Sequence, residues 1–520
     1  MKNDWFTVGA SLALACATAT GACSSEDAAG QSGGTNGNAA PSDDVEGADR
    51  AFAGEGSESS GIDGAGTDAL PGGASASSAG GVAGTGESGV GSGVTGLDGT
   101  VGDPPAGTPS SGGEPGPARP TYDFGATVEN TGSDCAVAAL PEAGQLPRLE
   151  RLPDPFLKLD GTRLTQTGEW RCRRQELIAQ AEKYIYGEKP PKPELVSGSV
   201  SRDTVAVNVQ EAGTSISFSA EVVLPAQGTG PFPAIINLGA RSVGGITLGE
   251  SFILEQGVAI IFYNHYDLGQ EGQPEASRGL PNPGLFYDIY GGDHSAGLLM
   301  AWAWGASRLM DVLQESGGDI IDPNRVGVTG CSRNGKGAFT VGVFDERIAL
   351  TIPQETSTGG LPAYRIVDVT NGAERTNWNY FGLNWLSDNF APFVENAAQL
   401  PIDSHEMVAL VAPRGLLVLD NPHVAQFAAS SAHTAVLAGA EVYGALGALG
   451  NIGYVSDIVS DVHCASGKPE YAAPISQSIA KFLKHEGDGP ATIRPGATAT
   501  GDLAQWRDWQ TPALQSAPAP

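Results

Sequence analysis

Basic side chains are scarce in this chain. Its 520 residues carry 29 Lys and Arg against 59 Asp and Glu, a formal charge of −30. Such a surface repels phosphate backbones and anionic headgroups, which excludes nucleic acid or an anionic membrane surface as the main partner. Metal-ligand spacings are lacking too. There is no Cys-x-x-Cys and no His-Glu-x-x-His, so neither a metal nor a cofactor is expected. Aromatic residues all but vanish between residues 31 and 120, where Phe52 is alone among 25 Gly, 12 acidic residues, two Arg and no Lys. That composition cannot bury enough apolar area to offset chain entropy, so residues 24–125 are expected to form a disordered, acidic linker.

What is present begins with a targeting signal. Lys2 precedes an apolar run from Trp5 to Ala22, short enough and placed to suit export. Leu14-Ala15-Cys16 and Thr20-Gly21-Ala22-Cys23 both resemble bacterial lipoprotein cleavage sites, the second with the better run ahead of it. Residues 1–23 are therefore read as a lipoprotein-type signal with a lipid anchor at Cys23. The expected location is the outer membrane at the cell surface, or secretion if the signal is plain. Setting Cys16 and Cys23 aside leaves Cys135, Cys172, Cys331 and Cys464. Four cysteines in an exported chain allow three pairings, and their separations do not choose among them.

After Arg148 the texture changes to alternating elements. Trp170–Tyr186 reads as a helix stopped by Gly187 and Pro190. Thr204–Val209 and Ser215–Leu224 suit a hairpin, whereas Phe232–Leu238 and Val258–Tyr263 are apolar throughout, as strands covered on both faces are. A helix is predicted over His294–Gln314, then strands at Val326–Thr329, Ile348–Ile352 and Leu416–Leu419, a helix over Val436–Leu449 and a last one over Pro474–Lys484. Strands alternating with helices imply an α/β-hydrolase fold, a three-layer αβα sandwich with a mostly parallel central sheet, over residues 126–485. Residues 486–520 read as a flexible tail.

One segment carries chemistry. In Asn324 to Ala338 a short strand runs into Gly330-Cys331-Ser332 and a helix follows, the context of a nucleophile elbow. It departs from the common pentapeptide because Asn334 stands two after the serine and Gly335 comes one later. The phosphate-loop pattern is not met. A serine needs a base and the base an orienting acid, both after it in chain order. Among His405, His423, His433 and His463, the last lies in a late polar loop before the final helix and is the expected base. His405 reads as a helix cap or packing residue. Glu355 and Asp420 each follow a strand, and topology favours neither as the acid.

Gly330-Cys331-Ser332-Arg333-Asn334-Gly335-Lys336-Gly337-Ala338 resembles the GCSRNGKGA signature of glucuronoyl esterases, carbohydrate esterase family 15, and the combination with a lipoprotein signal suggests a bacterial member. Leu152 to Phe156, Trp170 with Cys172 to Glu176, Asp293 to Gly305, Pro353-Gln354-Glu355, Gly359-Gly360, Ala412-Pro413-Arg414 and His463-Cys464 are similar to other landmarks of that family. The resemblance spans about residues 145–485. It implies Ser332 as nucleophile, His463 as base and Glu355 as acid, with Asp420 as rival because other members use the later strand. It implies that Arg333 stabilises the oxyanion and that Lys336 faces the sugar. It also implies a Cys331–Cys464 bridge, which leaves Cys135 and Cys172 as the other pair.

Two departures from the family stand out. Pro362-Ala363-Tyr364-Arg365 lacks a cysteine that some members have. The Gln and Glu with which fungal members hold the sugar fall at Glu374 and Gly382, and their sugar-contacting Trp falls near Ala425. The reading is a serine esterase, acting as a monomer, that cleaves the ester between glucuronate of glucuronoxylan and lignin alcohols. An esterase of another carbohydrate or aryl specificity is the alternative. From a different class, a non-catalytic polysaccharide-binding module is the second; a purely structural surface protein would rest on the Gly-rich region alone.

Overall fold

The computed structural model describes residues 124–272, 282–376 and 384–516; the expected signal and nearly all of the expected linker lie outside them. Ten strands join one sheet. They are β1 (Leu195–Val200), β2 (Thr204–Glu211), β3 (Thr214–Val223), β4 (Phe232–Leu238), β5 (Ala259–Tyr263), β6 (Ile321–Cys331), β7 (Leu350–Gln354), β8 (Gly415–Leu419), β9 (Ile452–Val455) and β10 (Ile493–Arg494). Their spatial order is β1-β2-β3-β5-β4-β6-β7-β8-β9-β10. The first three are an antiparallel meander joined antiparallel to β5, and from β5 to β10 every neighbour is parallel. This is the α/β-hydrolase fold that the alternation of elements predicts.

Local chemistry explains the pieces. Glu211 pairs with Thr214 across a two-residue turn, Ala212-Gly213, in which both residues have positive φ, as a tight hairpin requires. The wholly apolar strands obey the strand period of two. Ala234, Ile236 and Leu238 of β4 enter one core and Ile235 the other; Ala259, Ile261 and Tyr263 of β5 oppose Ile260 and Phe262 in the same way. One core is covered by the helix Leu298–Glu315, buried from end to end through Leu313. The other holds Tyr471, Ile475 and Phe482 from the helix Pro469–Ser478 and the turn Ile479–Leu483 that continues it.

Charges that enter the core arrive with partners, since an unpaired buried ion would be costly. Arg347 donates to Asp311 at 2.6 Å and to Asp345 at 2.7 Å. Glu129, from the chain's first described turns, meets Lys189 at 2.6 Å and Arg308 at 2.6 Å, which ties the amino-terminal approach to the helix Leu298–Glu315.

Three expectations change. The helix expected over 436–449 runs Ala429–Ala445, because its Ala- and Ser-rich start is buried although no cap marks it. The helix expected over 474–484 begins at Pro469 instead and continues as a π-turn Ile479–Leu483. Pro474 cannot donate to the carbonyl of Glu470, and Arg494 of β10 takes that acceptor at 3.0 Å. That bond introduces the third correction: the tail is not loose. Arg494 lies in β10, Gly501 donates to His433 Nδ1 at 2.9 Å, and Gln515 bridges to Gln166. Trp509, 5% exposed, donates to the carbonyl of Leu152 at 3.0 Å. Its polar, glycine-dotted sequence hid a few large anchors.

Replacing Trp509 with alanine is expected to lower stability by about 3 kcal/mol, as for other buried Trp truncations. Chemical denaturation of the full chain measures it, and an unmoved midpoint would restore the loose-tail reading.

Candidate active site

The strand β6 ends at Cys331 and the helix Arg333–Phe344 begins two residues later. Between them Ser332 has φ 60° and ψ −129°, a conformation that non-glycine residues adopt only when their surroundings force it. The forcing is visible. Ser332 N–H donates to the carbonyl of Gln354 in β7 at 3.0 Å, and Lys336 N–H donates back to the carbonyl of Ser332 at 3.0 Å. A Cβ on Gly330 would come 2.3 Å from the Asn334 carbonyl oxygen, and one on Gly335 2.5 Å from that of Gln354. The displaced glycine of the motif thus has its own reason: Gly335 lets β7 lie against the helix.

His463 is brought here by covalent chemistry. Cys331, just before Ser332, is bonded to Cys464, just after His463, with Cα atoms 5.8 Å apart across 133 residues of sequence. The imidazole Nδ1 bonds to Glu355 Oε2 at 2.7 Å, and its other face meets Phe427, ring centroids 4.6 Å apart. The Cys464 N–H and the Asn421 amide also donate to Oε2, at 3.1 and 3.4 Å. Lys468 Nζ reaches Oε1 at 2.5 Å, with both side chains at most 2% exposed. Burial alone would raise the Glu355 carboxyl; the bonds from His463 and Lys468 outweigh it and hold the group below the usual range. Ser332, Glu355 and Cys464 all have positive φ, so backbone strain concentrates at one spot.

Asp420 has other company. It follows β8 as Glu355 follows β7, but its carboxylate accepts from Tyr454 at 3.0 Å and from the Asn421 N–H at 2.9 Å. Burial pushes it up to about 6 against those bonds. The other histidines are also elsewhere: His423 bonds the carbonyl of Ile458, His433 accepts from Gly501, and His405 lies buried in the helix Ser404–Val411 against the carbonyl of Pro153. A second bridge joins Cys135 to Cys172. The Glu355, His463, Cys331 and Cys464 ligand atoms lie within 4.8 Å of one another, but the sulfurs are bonded together and do not offer thiolates to a metal.

Beyond the elbow stand two cations. Arg333 Nη1 pairs with Glu271 Oε2 at 2.5 Å, and Lys336 Nζ with Glu374 Oε1 at 3.2 Å. Burial pushes the Lys336 ammonium down, with Glu374 opposing. Trp385 lies between them: its ring centroid is 3.9 Å from Lys336 Nζ and 5.8 Å from the Arg333 guanidinium, and its Nε1–H donates to Glu271 Oε1 at 2.7 Å. Glu271, Trp385 and Lys468 are absent from the sequence reading. Nothing in the local sequence pattern singles them out. Gly382 lies outside the described residues, and Ala425 falls in the short turn Ala425–Phe427, whose Phe427 is the aromatic that meets His463.

Comparison with known proteins gives consistent answers. Residues 207–447 match the family model described as glucuronyl esterase, fungi. A 4-O-methyl-glucuronoyl methylesterase of Podospora anserina is 38% identical over 379 residues, 71% of this chain and 76% of that protein. The solved glucuronoyl esterase catalytic domain from Hypocrea jecorina has a TM-score of 0.66 at 35% identity, covering 72% of this chain and 100% of that one. A Sporotrichum thermophile glucuronoyl esterase variant, solved with methyl 4-O-methyl-β-D-glucopyranuronate, gives a TM-score of 0.66 at 35% identity, covering 73% and 100%. These findings correct two expectations. The family model and the curated relatives are fungal, so the bacterial affiliation falls. With it falls the lipoprotein on a bacterial outer membrane, because the family model and these relatives are of fungal enzymes. Two cysteines at the end of an apolar run were a slender basis for an anchor.

Asp420 generates a test of its own surroundings. A carboxyl whose folded value is raised from about 3.9 to about 6 contributes stability below pH 4 that is lost as pH rises through 6. Asp420→Asn removes that loss. Its stability relative to the parent should improve by about 2 kcal/mol between pH 4 and pH 7.5 in urea titrations. A difference that stays flat would contradict the raised value.

Proposed function

We propose a mechanism from one premise: the chain belongs to the glucuronoyl esterase family and hydrolyses the 4-O-methyl-glucuronoyl ester linkage of glucuronoxylan. In it Ser332 attacks the ester carbonyl while His463 takes its proton, and Glu355, bonded to Nδ1, fixes the tautomer and steadies the imidazolium. The observation that carries this reading is the 2.7 Å bond from His463 to Glu355, on loops that the Cys331–Cys464 bridge joins to the elbow. Asp420 has no part, since its carboxylate is committed to Tyr454 and Asn421.

Arg333 is the oxyanion residue, with its N–H at the helix start and its guanidinium alongside, where negative charge develops on the carbonyl oxygen. His463 then protonates the leaving alcohol, a lignin hydroxyl in the natural substrate. Water, deprotonated by the same imidazole, releases glucuronate from the acyl-enzyme. Lys336 and Glu374 meet the sugar hydroxyls, a cation and an anion that together offer both donor and acceptor. All these residues come from one chain, so a monomer suffices.

The test is hydrolysis of benzyl glucuronate beside benzyl acetate and an acetylated xylan. The uronate ester should be preferred, and Ser332→Ala and Glu355→Gln should each lower kcat by about 10³-fold or more. Preference for the acetyl esters would overturn the uronate specificity, and full activity in either variant would overturn the assigned roles.

A further inference from the structure

We propose that Lys468 is a positioning residue of the reaction: a buried counter-ion to Glu355 that limits how strongly this carboxylate holds the His463 imidazolium and so sets the low-pH limit of activity. The proposal rests on the reading of Ser332, His463 and Glu355 given above and adds to it a residue that touches none of the reacting atoms.

The geometry is a short linear array. Glu355 presents Oε2 to His463 Nδ1 at 2.7 Å and Oε1 to Lys468 Nζ at 2.5 Å. The ammonium and carboxylate side chains are 2% and 1% exposed, so water screens little of their attraction. Lys468 is held there by the fold: it immediately precedes Pro469, which starts the helix Pro469–Ser478, and its ammonium stands 5.7 Å from the centroid of the Tyr471 ring. An ammonium is expensive to bury, and the partner that offsets the expense is Glu355.

The electrostatic consequence has a sign. A lone buried carboxylate beside imidazole stabilises the imidazolium strongly, which leaves the base protonated, and useless, over a wide acidic range. A cation on the far oxygen shares that negative charge and repels the imidazolium. The base is then released at lower pH. The remaining groups around the array do not supply such a cation. Asn421 and the Cys464 N–H are neutral donors, and Phe427 packs on the imidazole. Asp420, at the neighbouring strand end, is itself acidic, with Tyr454 bonded to its carboxylate and Tyr471 to its backbone carbonyl. Glu470 and Asp457 are acids that act on Tyr471 from farther out. Lys468 is thus the cation in contact with Glu355 among the described residues.

The same array bears on the choice between acids. Glu355 N–H donates to the carbonyl of Leu419, directly before Asp420, so the two carboxyls occupy adjacent strand ends. Two neighbouring buried carboxylates are unfavourable together. With Lys468 on Glu355, the charge belongs there, and Asp420 is the group on which a proton is easier to keep.

The experiment is a pH profile of kcat and KM on benzyl glucuronate for Lys468→Met and Lys468→Arg, with Glu355→Gln in parallel. Lys468→Met should move the acidic limb of kcat/KM up by about one pH unit, a shift of the size a close charge produces. Activity on the acidic limb should therefore drop about tenfold, while the plateau changes little and KM stays within about twofold. Lys468→Arg, which keeps the charge, should keep the limb. Should Lys468→Met fail to fold, Lys468→Gln, a neutral donor, reads the same limb. An unmoved limb, or an equal loss at every pH, would overturn the proposal and leave Lys468 a packing residue. Wild-type activity in Glu355→Gln would instead overturn the site reading on which it rests.

Discussion

A negative charge shut away from water at Glu355 is the constraint around which the site is built. Its side chain is 1% exposed, yet it is held ionised. Four donors meet it: His463, Lys468, the Cys464 N–H and Asn421. They come from two separate stretches of chain, at residue 421 and over residues 463–468, which the fold brings onto one carboxylate. The strained backbone at Ser332, Glu355 and Cys464 is tolerated because the sheet, the bridge and these bonds over-determine it. Removing one partner from such a cluster leaves a charge with too few, which is why polar sites of this kind are kept whole.

The scaffold meets that constraint with ordinary means. Parallel strands end along one edge, so β6, β7 and β8 deliver Ser332, Glu355 and Asp420 side by side without any special loop. Only His463 arrives on a long connection, and there the fold relies on a covalent link instead of a strand. The bridge closes 133 residues of chain. It removes freedom that noncovalent contacts would otherwise have to remove at the expense of precision.

Much of this was legible in the chain itself, for identifiable reasons. Apolar runs such as Phe232–Leu238 report burial on both faces, and Gly-x-Ser between a strand and a helix reports an elbow, because those patterns have few other causes. The residues alone did not choose between Glu355 and Asp420, since both follow apolar strands and differ only in which partners the fold sets beside them; the family resemblance favoured Glu355. Lys468 and Glu271 escaped for a related reason. A buried lysine or glutamate looks like any surface one until its counter-charge, 113 or 62 residues away, is brought to it. The tail failed differently: Trp509 and Arg494 each make a decisive contact within a stretch whose average composition is that of a loop. Composition measures the mean of a segment, and folding can turn on its exceptions.

The pairing of the cations with Glu271 and Glu374 matters for turnover as well as for position. On the proposed reading the substrate carbonyl belongs to a neutral ester, whereas the product is a carboxylate. Two unpaired cations beside the elbow would favour that anion over the ester and slow its release. Arg333 and Lys336 instead reach the site with one glutamate each, so these two pairs carry no net charge. Developing charge on the oxyanion is still met by a close N–H and guanidinium, which act over a hydrogen-bond length. The full charge of a product is met, at longer range, by a neutral pair and by the field of a chain with net charge −30. Short-range polarity serves the transition state, and the long-range field disfavours the product anion; the two glutamates are what separate these effects.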